Sequence, residues 1–417
     1  MKILHVSFSD ISGGAARASS RIHKALLIKG LNSKMFVNKK QSVDKTILEP
    51  LGKIEKMLIQ LRLRIANVFI KLMGTKNSIP HSISFLPSQW VKRINDSDTD
   101  IVHLHWVQHE MLSIADIGKI KKPIVWTLHD MWAFCGAEHL SQDDRWRSGY
   151  NKKNRPTYES GFDINRWTWL RKLNHWQKPI HIVSPSNWLA NCVRESKLMS
   201  NWPVSVVPNL LNTDDWNPVD QNLARNTLNL PLNIPLIIFG TLGANNSHHK
   251  GYDLLMKTLN NIKDDEHLKN MELVVFGKNT SKPFPKMKFP IHYIGHLNDM
   301  DLINLYSAAD ATIIPSRQEA YCQTASESHA CGTPVVAFNI GGLTDIVEHH
   351  KTGYLAKAFD TEDLAKGISW VLDEKNKKLL GEQARVRAVK KFSQQVVIKQ
   401  YQSIYEKVLN KKLKNEI

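Results

Sequence analysis

The run Ala311–Phe338 constrains the fold of this 417-residue chain more than any other stretch. It opens on the apolar segment Ala311–Pro315, which reads as a buried parallel strand. A helix is predicted over Thr324–Cys331, stopped by Gly332 and Pro334. A second apolar segment, Pro334–Phe338, follows directly. Two carboxylates, Glu319 and Glu327, flank the loop-to-helix junction. Glu319 falls just past the carboxyl end of its strand, where open α/β sheets bind ligands. The loop turns the chain, so both acids can face one crevice. Carboxylates in that position are good acceptors for the hydroxyls of a sugar and a ribose. Glu327 has a second reading, because Thr324-x-x-Glu327 also fits a capping box that satisfies a helix start.

The same alternation runs through the whole chain. Strands are predicted at Ile3–Phe8, Ile101–Trp106, Ile124–His129 and Ile180–Ser184 in the first half. In the second half they are predicted at Leu236–Leu242, Leu273–Gly277, His292–Gly295, Ala311–Pro315 and Pro334–Phe338. Helices Ala15–Ile28, Tyr252–Ile262, Asp299–Ala308 and Glu362–Leu372 lie among or after them. Strand–helix alternation in both halves argues for two doubly wound α/β domains, and the length exceeds what one compact core usually holds. The break is placed around Asn209–Leu232, a stretch rich in Asn and Asp beside Pro208 and containing Pro218 and Pro231. This gives a first domain at 1–210, a second at 211–392 and a charged, helix-prone tail at 393–417.

Composition narrows the classes. Hydrophobic residues make up 42% of the chain, and no run approaches the 18 apolar residues or so of a membrane span. The first ten residues read as a strand, not a signal peptide. Cys135, Cys192, Cys322 and Cys331 are scattered without disulfide or zinc spacing, so a reducing cytosol is expected. The net charge of +17 is uneven: residues 1–210 hold 31 Lys and Arg against 16 Asp and Glu, and the remainder holds 25 against 23. A basic first half points to an anionic partner. No nucleic-acid recognition motif accompanies the charge, so nucleic acid is not expected. A dinucleotide fingerprint is absent, which argues against a dehydrogenase.

Several other segments carry chemistry. Ser12-Gly13-Gly14-Ala15 follows the first strand and opens a helix. Gly13 and Gly14 let the backbone approach a ligand, and the helix start offers N–H groups and a positive dipole end, which suits a diphosphate. The competing reading is a plain tight turn. Thr127-Leu128-His129-Asp130 ends a strand on the ligand side of the sheet. Asp130 could support His129 or cap the next segment, and His103 and His105 are weaker candidates. Gly240–Gly251 runs from the end of a predicted strand through a loop ending in His249-Lys250-Gly251. Leu51–Leu72 places Ile54, Leu58, Leu61, Ile65, Val68 and Leu72 on one helical stripe, flanked by Lys53, Lys56, Arg62, Arg64 and Lys71. That is the pattern of a helix lying on an anionic membrane. The alternative, preferred on the sequence, is an ordinary surface helix packed on its own domain. Ser141–Trp176 is rich in Arg, Trp and Tyr, and reads as an insertion of loops and short helices.

Pro315–Gly342 resembles the donor-site signature of retaining family 4 glycosyltransferases, which have the two-domain GT-B fold. In that family a Glu and, after seven residues, a second Glu precede Ala-Cys-Gly-Thr-Pro-Val-Val and a Gly-Gly. The glycine loop, the His129 strand and the Lys250 loop stand in the expected order. The resemblance implies two Rossmann-like domains facing a central cleft, with the carboxy-terminal helix crossing back to the first. It implies catalytic roles for His129 and Glu319 at the donor sugar. Gly13, Gly14 and Lys250 would bind the diphosphate, and Glu327 the ribose. The implied activity is transfer of a hexosyl group from a nucleotide-diphosphate sugar to a glycan, lipid-linked, in surface polysaccharide or O-antigen assembly. No metal and no cofactor beyond the nucleotide sugar are expected. The expected location is the cytoplasm, peripheral on the inner membrane face through Leu51–Leu72. Two departures stand out. Thr241 occupies a position where many members carry Arg, and Ala320-Tyr321-Cys322 replaces a frequent Gly-Phe-Gly. A sugar-nucleotide epimerase of the same architecture and a non-catalytic sugar-nucleotide-binding protein are the rival readings.

Overall fold

The computed structural model describes residues 1–50, 52–242, 248–262, 268–278 and 289–416. The chain divides into two compact units, Met1–Leu210 with Val397–Ile417, and Leu211–Val396. The return to the first unit falls inside the helix Gln394–Glu416.

The first unit is built on seven parallel strands. These are β1 (Lys2–Ser9), β2 (Asn32–Lys39), β3 (Ile47–Leu48), β5 (Ile101–Leu104), β6 (Ile124–Thr127), β8 (His181–Ser184) and β9 (Val204–Val206). Their order is β3-β2-β1-β5-β6-β8-β9. β5 and β8 are buried at every position, as parallel strands covered on both faces must be. The chain runs outward from β1 to β2 and β3, then returns to the other side of β1 as β5. The carboxyl ends of β1 and β5 therefore form a topological switch point. Ile3, Ile22, Leu26, Ile101 and Val125 share a core with Val397, Tyr401 and Tyr405 of the last helix.

The second unit repeats the plan with six parallel strands: β10 (Leu236–Leu242), β11 (Glu272–Lys278), β12 (Ile291–Gly295), β13 (Ala311–Ile314), β14 (Val335–Phe338) and β15 (Gly353–Ala356). Their order, β12-β11-β10-β13-β14-β15, puts a second switch point between β10 and β13. Ile237 pairs with Ala311 and Ile238 with Thr312. Both units are thus Rossmann-like α/β layers, as the alternation predicts.

Ser141–Trp176 holds more structure than its lack of periodicity suggests. β7 (Glu159–Gly161) pairs antiparallel with β4 (Met73–Thr75), and a helix spans Ile164–His175. The buried Lys172 on that helix donates to the carbonyls of Trp132, Cys135 and Gly136, so its ammonium closes a loop end. The tail is a single helix, Gln394–Glu416, separated at Ser393 from the preceding helix Glu374–Phe392.

The basic segment forms a helix over Lys53–Ile70; Leu51 lies outside the described residues. Its packing differs from the preferred reading. The helix rests on its own unit through Ile59 and Ala66, its only buried residues. Five of the six stripe residues point the other way, among them Ile54 72%, Val68 62% and Leu72 54% exposed, while Ile65 is half-buried. Periodicity identifies such a stripe but not the direction it faces.

Candidate active site

The site in the second unit lies at the β10/β13 switch point. Residues 243–247 of the loop after β10 lie outside the described residues; the short helical turn His248–Lys250 closes it. Gly251 follows with φ +68°, and a Cβ there would sit 1.8 Å from the carbonyl oxygen of Pro315. Only glycine combines that left-handed backbone with so close an approach to the end of β13. The approach fixes Lys250 beside the loop that carries Glu319. Lys250 Nζ donates to Glu319 Oε1 at 2.7 Å, and Ser316 Oγ donates to the same oxygen at 2.8 Å. Burial works against the Lys250 ammonium. The facing Glu319 carboxylate outweighs burial and leaves the pKa above the ordinary lysine value, so the cation persists at neutral pH.

Arg317 holds the two loops together, and sequence reasoning missed it. Its backbone N–H donates to His249 O at 2.7 Å and its guanidinium to His248 O at 2.8 Å. Two further bonds of 2.7 Å reach both oxygens of Asp253, in the first turn of the helix Tyr252–Asn261. This bidentate pair is planar and directional, as an arginine fork requires. On the other side, Gly342 N–H donates to Glu319 O at 2.8 Å. A Cβ at Gly341 would meet Glu319 O at 2.4 Å, and one at Gly342 would meet Ala320 O at 2.5 Å. The Gly-Gly pair thus lets the loop after β14 close on the backbone of the Glu319 loop.

Glu327 lies on the helix Gln323–Ala330, buried, with the Tyr306 hydroxyl 3.4 Å from Oε2. The capping-box reading does not hold. The N-cap is Cys322, without a side-chain cap bond, which puts Thr324 inside the helix and Glu327 in its second turn. Cys322 belongs to the core, and burial, aided by Glu319, pushes its thiol up to about 12. A thiol so protonated is a packing group, not a nucleophile.

The first unit has its own constellation at the β1/β5 switch point. Gly13 is the N-cap of the helix Gly14–Ile28, at φ 92° and ψ 166°. A Cβ there would meet open space, so conformation and not crowding calls for glycine. Asp10 braces the loop by accepting from the backbone N–H groups of Gln41 and Ser42, each at 2.9 Å. Ser9 Oγ accepts from Ile11 and Ser12. His129 stands two residues past β6 and is half-buried. Burial lowers its pKa to about 4 against a smaller opposing pull from Asp130, so the ring is neutral at physiological pH. Asp130 does not hydrogen-bond His129. Its oxygens take His139 Nδ1 at 2.6 Å, Trp106 Nε1 at 2.8 Å and Trp132 N–H at 3.0 Å. Of its two expected roles it serves the cap of the next segment. The partner of His129 is His105, with Nδ1 to Nε2 at 3.3 Å.

The structure therefore brings Lys250 and Glu319 into contact, with Glu327 on the helix that follows. It places Gly13, Gly14 and His129 at the carboxyl end of the other sheet. A fixed cation and a carboxylate at one switch point can bind an anionic leaving group and orient a polyol.

Comparison with known proteins follows the same division. A model described as Glycosyltransferase Family 4 matches residues 13–215, and one described as Glycosyl transferases group 1 matches residues 234–387. N-acetyl-alpha-D-glucosaminyl L-malate synthase of Bacillus anthracis is 30% identical over 110 residues, which is 26% of this chain and 29% of that protein. The chain spans less than half the length of such curated relatives, 29%, 16% and 49% in three cases. Sucrose-phosphate synthase from Thermosynechococcus elongatus superposes with a TM-score of 0.66 at 16% identity, covering 98% of this chain and 100% of that one. HepE from Anabaena, in complex with UDP and glucose, does so with a TM-score of 0.66 at 15% identity over 98% and 100%. With the two family models in tandem on a doubled Rossmann-like fold, this chain belongs to the family 4 glycosyltransferases of the GT-B fold.

Proposed function

We propose that this chain transfers a hexosyl group from a nucleotide-diphosphate sugar to a lipid-linked glycan, with retention, in surface polysaccharide assembly. The Lys250–Glu319 pair at the β10/β13 switch point carries the reading. The bond between the sugar's anomeric carbon and the diphosphate breaks, and negative charge collects on the leaving group. Lys250 and the amides of the Gly13–Gly14 helix start meet that charge. The acceptor hydroxyl forms its bond from the same face and passes its proton to the departing phosphate oxygen. His129 and Glu319 orient the sugar, and Glu327 takes the ribose. The UDP and glucose held by HepE support a nucleotide sugar as the ligand class.

The test is calorimetric binding of a panel of UDP-, GDP- and ADP-sugars. Micromolar binding of one donor is expected, and loss of that binding in Glu319→Ala and Lys250→Ala. Because the charges are fixed in the protein, turnover is expected to survive EDTA. A complete loss restored by metal would overturn this assignment of the cation. Conversion of the donor to an epimer without acceptor would replace transfer by epimerisation.

The membrane part of the proposal rests on the outward stripe of the helix Lys53–Ile70. Lys53, Lys56, Arg64 and Lys71 stand exposed beside it, a basic flank to an apolar face. Charge complementarity supports the anionic inner face of the cytoplasmic membrane as its occupant. No described helix is long and apolar enough to cross a membrane. Sedimentation with phosphatidylglycerol vesicles is expected, weaker with neutral vesicles or high salt. The pair Ile54→Glu and Leu61→Glu should weaken it at least about tenfold, since each buried side chain contributes about 1.5–3 kcal/mol. Unchanged sedimentation of the pair, or dimerisation that the pair abolishes, would assign the face to another occupant.

A further inference from the structure

Three imidazoles in the first unit form a hydrogen-bonded file from the sheet interior to the end of β6. His5 lies on β1, and His5 pairs in register with His103 of β5, so His5, His103 and His105 share one face of the sheet. His5 Nδ1 lies 2.9 Å from His105 Nε2, and His105 Nδ1 lies 3.3 Å from His129 Nε2. The rings stack at interplanar angles of 20° and 28°. At the inner end, His5 is fully buried and its Nε2 has no hydrogen-bond partner among the described residues.

Each neutral imidazole carries one proton, so this file admits two arrangements. In one, every proton sits on Nε2. His129 then donates inward to His105, His105 donates to His5, and His5 is left with a buried N–H and no acceptor. In the other, every proton sits on Nδ1. His5 donates to His105, His105 donates to His129, and only a lone pair is left unmatched at the inner end. Buried N–H groups without an acceptor are rarer in folded proteins than under-used acceptors. We infer that His105 and His5 are positioning residues that hold His129 in its Nδ1–H form, so that it meets the nucleotide sugar as a donor to an acceptor oxygen. The inference rests on the proposed role of His129 at the donor sugar for its use, but not for its geometry.

Burial lowers the pKa of all three rings, which keeps the file uncharged at neutral pH. His103 is outside the file. Its nitrogens meet Thr127 Oγ1 at 2.7 Å and Tyr405 OH at 2.8 Å. His5, His103 and His105 lie close enough together to suggest a metal. Both nitrogens of His103 are taken by those two hydroxyls and both of His105 by His5 and His129, so among the described residues an ion would find only His5 Nε2 unengaged.

The test is long-range proton–nitrogen correlation of the protein labelled with ¹⁵N-histidine, with His129 assigned through His129→Gln. The wild type is expected to show His129 protonated on Nδ1 and bare on Nε2. His105→Leu should shift His129 toward the Nε2–H form usual in water and lower turnover per KM about tenfold, the weight of one hydrogen bond. His105→Asn, whose amide can donate from near the Nδ1 position, should restore both. A wild-type His129 protonated on Nε2, an unchanged pattern in His105→Leu, or a stoichiometric metal in the purified protein would overturn the inference. The spectrum needs no substrate. Its failure is therefore distinguishable from failure of the enzymatic reading, which the donor panel tests.

Discussion

Lys250→Ala is expected to lower turnover of the preferred donor by about 10²–10³-fold, the usual weight of a group aimed at charge that develops in the transition state. The donor's KM should change less, because the cation acts most on the bond-breaking step. Lys250→Arg should recover only part of the loss. Its longer, planar head does not reproduce a single Nζ–Oε1 contact of 2.7 Å. Glu319→Ala removes the partner of that contact and the acceptor of Ser316, so it should be comparably severe. The double variant should lose much less than the product of the two single losses, because the side chains act as one unit. Steady-state rates for the four proteins complete the cycle. If Lys250→Ala stays within about threefold of the wild type, leaving-group stabilisation resides elsewhere.

Mild acid is expected to unfold the first unit before the second. Burial lowers the histidine pKa in the first unit at His23, His81, His109, His129 and His181 to about 4 and at His103 to about 3, with His5 and His105 also depressed. In the second unit the described cases are His249, His329 and His349. The folded values lie below the unfolded value of about 6.5. The unfolded chain therefore takes up protons first as pH falls. The stabilisation is complete above about pH 6.5 and is lost progressively toward pH 4. Each well-buried ring contributes on the order of 1–2 kcal/mol by pH 5. Five of the lowered rings in the first unit, His5, His23, His103, His105 and His181, are buried, and their combined loss is comparable with the whole stability of a domain, about 5–15 kcal/mol. Ten of the twelve tryptophans lie in the first unit. Tryptophan emission should thus report its loss between about pH 6.5 and 5, ahead of the far-ultraviolet signal of the second unit. A flat melting temperature from pH 7.5 to 5 would refute this.

The sequence made the βαβ step at Ala311–Phe338, the order of the glycine, histidine, lysine and glutamate segments, and the position of Glu319 past its strand all readable. These depend on short-range pattern and on one general rule about sheet ends. Arg317 escaped because its partners lie on a loop and helix about 65 residues away, and only the β10–β13 pairing brings them near. The histidine file escaped for a similar reason. Alternation along β5 puts His103 and His105 on one face, but His5 joins them only through the register of β1 with β5. Thr324 and Glu327 fit a capping pattern by spacing, yet the helix starts one residue before Thr324 with Cys322 as its cap. Helix starts shift by a residue at little cost, and a capping pattern fails when they do.

The last helix has a bearing on synthesis. The core of the first unit needs Val397, Tyr401 and Tyr405, while Leu211–Val396 forms a continuous compact unit between its two contributions. On a ribosome, the earlier-made unit must wait with its histidine face uncovered until Leu211–Val396 and the helix that follows have been made. The later-made unit has all of its chain in hand first. Birth order and completion order are therefore reversed, and the segment that waits is the one a chaperone would have to shelter.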